Sequence, residues 1–162
     1  MAEENRTLDT FYENWKLYQH HVKEAIAPLT EEQLALRAAP HLRSIGENAA
    51  HMMGARIGWF TRFLGEGDEE LKSMPRWDAP GAPTRSAAEL VDGLDLSWKL
   101  MADCLARWNS DDMQKTFTRE WRGDNYELSR SWVIWHLLEH DLHHGGEISL
   151  TLGMHGLQAP DI

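Results

Sequence analysis

The sequence predicts an all-α fold: a four-helix bundle with a long crossover loop and a small extended hairpin before the last helix. Three observations predict it. Apolar residues recur at steps of three and four along several long stretches, the spacing of one helix face. A Ser or Thr followed three residues later by Glu or Gln marks helix starts at Thr30, Ser44 and Ser86. Glycine and proline gather in one interior stretch, from Gly65 to Pro83. The length of 162 residues suits one domain, 1–162, with a substantial core.

The first helix is expected over residues 5–27, where Leu8, Phe11, Trp15, Tyr18 and Val22 alternate steps of three and four, and Pro28 ends it. Thr30-Glu31-Glu32-Gln33 is a capping box that opens a short helical turn. Ser44-Ile45-Gly46-Glu47 opens a helix to about Leu64, and Ser86-Ala87-Ala88-Glu89 opens another to about Trp108. Between them, Gly65, Gly67, Pro75, Pro80, Gly81 and Pro83 mark a long crossover with room for one helical turn. Residues 114–128 alternate weakly around Gly123-Asp124-Asn125, the sign of a hairpin. The last helix starts near Ser129 or Ser131 and runs to Gly153, expected as its C′ residue.

Composition narrows the function. Hydrophobic residues at 42% and charged residues at 26% are an ordinary globular mixture. A net charge of -10 argues against a binder of nucleic-acid backbones. The single cysteine, Cys104, leaves no disulfide framework and no CxxC motif, and its apolar helix makes it a buried thiol rather than a nucleophile. No apolar run reaches the roughly 18 residues of a membrane span, and the polar start Met1-Ala2-Glu3-Glu4-Asn5-Arg6 does not read as a signal peptide. A cytoplasmic location is the expectation. The eight tryptophans read mainly as packing residues, with one or two available to line a ligand pocket.

The chemistry concentrates in the last helix. His136, His140, His143 and His144 are four of nine histidines, and His136, His140 and His144 form a ladder one turn apart. Val133, Leu137, His140, His144, Ile148 and Leu152 follow a core-facing stripe, so two imidazoles stand where Leu would be expected. Burying them without partners costs roughly 1–3 kcal/mol per group, which a bound cation would remove. The alternative is a pair of core histidines satisfied by neighbouring carbonyls or carboxylates. Two histidines one turn apart need a third ligand from elsewhere, and His51 is the leading candidate. Its face carries Ser44, Glu47, Ala55, Gly58 and Arg62, a small and polar set that fits a cavity wall or plain exposure equally. The apolar positions Ile45, Ala49, Met52, Met53, Phe60 and Phe63 lie on the other side. His136 is the other option for a third ligand, but the ladder alone cannot encircle one ion, since its outer members lie about 12 Å apart along the axis. His143 reads as a solvated edge, with Glu147 one turn beyond; His20, His21 and His41 read as surface residues. Glu47-x-x-x-His51 and Glu139-x-x-x-His143 have the wrong spacing for a di-iron site, which needs ExxH.

The segment His140-Asp141-Leu142-His143-His144-Gly145-Gly146-Glu147-Ile148 resembles the HxxxHRGQI signature of the DinB-like superfamily, with its YfiT-like metal-dependent hydrolases. The helix opened by Ser44-Ile45-Gly46-Glu47, with His51 inside, resembles that family's other conserved element. The resemblance implies a four-helix bundle, commonly a homodimer, holding a divalent ion such as zinc or nickel on His51, His140 and His144. It also implies thiol S-transfer or hydrolysis on a small-molecule substrate, with a low-molecular-weight thiol such as bacillithiol or mycothiol as a possible cofactor. Gly145 and Glu147 depart from the signature's Arg and Gln. A non-catalytic dimeric bundle with a purely structural histidine cluster is the rival reading.

Overall fold

The structure is a computed structural model that describes residues 6–74 and 76–161. Residue 5 of the expected first helix, the Leu8 side chain and the expected breaker Pro75 lie outside the described residues. The fold is mostly helical. Four long helices are α1 (Arg6–Ile26), α3 (Ile45–Gly58), α5 (Ala87–Arg107) and α7 (Arg130–Met154), with short helices α2 (Glu31–Leu34), α4 (Glu69–Ser73) and α6 (Ser110–Gln114) between them. Strands β1 (Thr116–Trp121) and β2 (Asp124–Ser129) pair antiparallel before α7. The expected crossover is present and contains α4. No helix among the described residues is long and apolar enough to cross a membrane.

The three expected capping boxes all form, each with the side chain of Thr30, Ser44 or Ser86 accepting from the third helical N–H and the Glu or Gln reaching back. A fourth, unexpected one joins Asn109 to Asp112 and starts α6. The hairpin turns one residue earlier than the sequence suggests: Arg122 and Gly123 both have positive φ, 55° and 89°, as a two-residue primed turn requires. Helix α7 also runs past Gly153. Gly156, at φ 68°, is its left-handed C′ residue, with the Leu157 N–H donating to Leu152 and the Gly156 N–H to Gly153. In α3 the α-helical register gives way to a π-turn over Trp59–Phe63.

Helix α3 packs between α5 and α7, and α1 closes on the same two. Their contacts enclose two apolar clusters. One holds Val22, Ile26, Ile45, Met52, Leu90, Leu94, Ile148 and Leu152; the other holds Trp15, Phe60, Met101, Cys104, Val133 and Leu137. Along each long helix one polar residue falls between them: Gln19, Arg56, Ser97 and Asp141, all buried. Sequence periodicity places Phe11 in the α1 stripe, yet it is 60% exposed. The inward line is Trp15, Gln19, Val22 and Ile26, and Gln19 belongs to it because it accepts from the Arg56 guanidinium.

Candidate metal centre

Arg56 and Asp141 hold the frame on which the site rests. Both are fully buried, and the Arg56 Nη2 donates to Asp141 Oδ2 at 2.6 Å while its Nε donates to the same carboxylate at 3.1 Å. The Trp15 indole N–H donates to Oδ2 at 2.7 Å. Burial pushes the Asp141 carboxyl up, against the pull of Arg56 and Trp15. This network ties α1, α3 and α7 together at the level of the histidines.

Asp141 is flanked on α7 by His140 and, one turn on, His144; His51 faces them from α3. One ring nitrogen from each of His51, His140 and His144 lies within 4.8 Å of the others. The structure therefore brings together the three histidines that the sequence singles out. Ring centroids lie 4.7 Å apart for His51 and His140, 4.8 Å for His51 and His144, and 4.4 Å for His140 and His144. His144 is buried, while His51 and His140 are half-buried.

Two carboxylates fix the ring orientations. His51 Nδ1 sits 2.9 Å from Asp78 Oδ2, and His144 Nδ1 sits 2.7 Å from Glu147 Oε2. A neutral ring that donates from Nδ1 presents a lone pair at Nε2, the tautomer a metal ligand needs. His51 Nε2 faces His140 Nε2 at 3.0 Å, with room for one proton between them. His140 Nδ1 is buried and has no hydrogen-bond partner among the described residues. Burial, then the neighbouring histidines, hold the His140 imidazole down to about 3, so it is neutral at ordinary pH. His144 is also lowered, chiefly by burial. Three imidazoles from two helices, two backed by carboxylates, form a donor set that fits a divalent ion such as zinc or nickel.

Asp78, like Arg56 and Asp141, is a residue that sequence reasoning missed. It comes from the crossover, is nearly buried, and also accepts from Arg76. Burial raises its carboxyl, but Arg76 and His51 outweigh that and hold it below the usual range. Gly54 makes the approach possible, since a Cβ there would lie 3.2 Å from Asp78 Oδ1.

Two further histidines of α7 adjoin the triad without joining it: His136 lies 5.9 Å from His140 and His143 lies 4.8 Å from His144, centre to centre. His136 stacks on Trp132 at 4.9 Å and 14°, and burial lowers its pKa. His143 is exposed and reaches Glu147 at 3.4 Å. With His144 and Glu147 it forms a second grouping, carried by α7 alone. His20 and His41 are exposed, and His21 is half-buried. Cys104 is buried and its thiol is pushed up to about 11, mainly by burial. A cavity of about 710 Å³ lies beyond Asp78, bordered by Trp77, Arg37, Arg85 and Glu47, and none of the three histidines lines it.

Comparison with known proteins agrees with this architecture. The model of the DinB superfamily matches residues 10–148. The chain belongs to the DinB superfamily. A DinB-like protein from Bacillus cereus ATCC 10987 superposes with a TM-score of 0.68 at 22% identity, over 95% of this chain and 96% of that one. A conserved protein from Enterococcus faecalis gives 0.60 at 15% identity, over 88% and 95%. No curated protein matches the chain in sequence. For this DinB-superfamily chain the glycine at 145 has a local reason. A Cβ there would meet the Tyr18 hydroxyl at 2.2 Å, and that hydroxyl donates to the Leu142 carbonyl. Tyr18 thus occupies the space in which a side chain at position 145 would begin.

Proposed function

We propose that this chain is a single-domain, divalent-metal-binding member of its superfamily, its four long helices forming a bundle. His51, His140 and His144 hold the ion, zinc or nickel. The reaction is S-transfer from a low-molecular-weight thiol to a small electrophile, or hydrolysis of a small molecule, in a protein that works as a homodimer. The observation that carries the reading is the convergence of three imidazole nitrogens from two helices, two of those imidazoles braced by carboxylates. An ion held by these three histidines would supply Lewis acidity, which would make a thiol or a water a nucleophile near neutral pH. Asp78 fixes the tautomer of His51, and Glu147 fixes that of His144. Glu147 also reaches the exposed His143, so the pair is placed to pass a proton from the site to solvent.

The direct test is cobalt(II)-loaded protein titrated with a simple thiol. A thiolate-to-cobalt absorption band supports the reading, and bound cobalt without such a band refutes the thiol branch. A structural role for the cluster is favoured by one contact, the mutual hydrogen bond of His51 and His140. Melting with and without chelator separates the two, because only a ligated ion stabilises the fold by mass action.

A further inference from the structure

The hairpin carries a cation that the rest of the fold leaves without an anionic partner. Arg119, like Arg43, Arg62 and Arg122, forms no ion pair among the described residues, whereas Arg37, Arg56, Arg76, Arg85, Arg107 and Arg130 each meet a carboxylate. Its guanidinium lies over aromatic rings instead: 4.5 Å from the centre of Trp59, 4.6 Å from Trp121 and 5.4 Å from Phe63. Such stacking fixes the guanidinium plane and leaves its N–H groups to bind an anion. The rings then lead to the histidines. Trp59 meets His136 at 5.3 Å, Trp132 stacks on His136, and His136 meets His140 at 5.9 Å. Trp59 and Phe63 are also the first and last residues of the π-turn, a helix distortion that recurs at functional sites. A positive group and an aromatic wall therefore adjoin the triad on one side.

The geometry points to Arg119 as the specificity-determining residue for a substrate or thiol that carries a carboxylate on an apolar stem. The carboxylate pairs with the Arg119 guanidinium, the stem lies along His136 and the exposed Trp132 that stacks on it, and the reactive end reaches His51, His140 and His144. This inference rests on the proposed metal site for the position of the reactive end, but the anion contact itself does not need the ion.

Two probes that differ only at one end test it: 6-mercaptohexanoate and 6-mercaptohexanol, titrated into the cobalt(II)-loaded protein. The carboxylate probe is expected to bind about tenfold more tightly or better, the increment of a charge-assisted hydrogen bond. Arg119→Gln should bring the two affinities together by weakening the carboxylate probe alone, and Arg119→Lys should retain part of the preference. Equal affinities in the parent protein, a preference that survives Arg119→Gln, or failure of both thiols to bind would each overturn the proposal. If the protein takes up no cobalt, the metal reading fails separately. Hexanoate is then titrated into the metal-free protein and followed by indole emission. A response abolished by Arg119→Gln sustains the anion site, and no response in the parent protein removes it.

Discussion

Replacing Asp141 with alanine would remove one partner of a fully buried ion pair and leave the other in place. Arg56 would keep a guanidinium with no solvent contact, and its Nε and Nη2 would lose the Asp141 carboxylate. The Trp15 indole N–H would lose its acceptor as well. Breaking a buried pair from one side typically costs about 3–5 kcal/mol. With a urea slope of about 2 kcal/mol/M, the midpoint should fall by about 1.5–2.5 M. For a domain of this size the same loss lowers Tm by roughly 6–20 °C. Asp141→Asn keeps an oxygen for the indole but removes the charge, and should fall between the parent and Asp141→Ala. Urea unfolding followed by circular dichroism measures both. A loss below about 1 kcal/mol for Asp141→Ala would refute the view that this pair organises the layer between the two apolar clusters.

Adjacent glycines give opposite expectations. Gly145→Ala should destabilise the fold by about 1–3 kcal/mol because the new Cβ displaces Tyr18, whereas exposed Gly146→Ala, which meets nothing within 4 Å, should gain up to about 1 kcal/mol in thermal melts. Cys104, buried with its thiol pushed up to about 11, should resist an aromatic disulfide reagent at pH 8 in the native protein and react once in denaturant; prompt native labelling would contradict that burial. Glu47 is held below its usual 4.5, first by the Arg37 hydrogen bond, so its contribution is present above that range and lost as pH falls through the lower folded value. Glu47→Gln should therefore flatten the decline of stability below about pH 4.5, read from urea midpoints across pH.

Local signals were the legible ones. The capping boxes at Thr30, Ser44 and Ser86 depend on contacts three residues apart, and each formed where the sequence places it. The inward positions of His140 and His144 follow from the Val133-to-Leu152 stripe, whose other members are all fully buried. Arg56 and Asp141 also left a trace: each lies on its helix's apolar line, Arg56 between Met52 and Phe60, Asp141 one turn past Leu137. Charges in such positions call for one another, yet nothing local says that these two meet across 85 residues. Asp78 was less legible still, because it sits among crossover breakers with no periodicity to orient it. The π-turn at Trp59–Phe63 changes the helical register without changing composition, so a period count reads straight through it. At the end of α7 two glycines competed; the helix runs on to Met154, and Gly156 rather than Gly153 adopts the left-handed conformation.

The central claim is that His51, His140 and His144 hold a divalent ion. Elemental analysis of the untagged protein, beside His144→Ala prepared identically, tests it most directly. The account predicts close to one zinc or nickel per chain in the parent protein and its loss in His144→Ala. No ion in the parent protein, even after reconstitution with zinc, nickel, manganese and iron, or equal metal in both proteins, would contradict it.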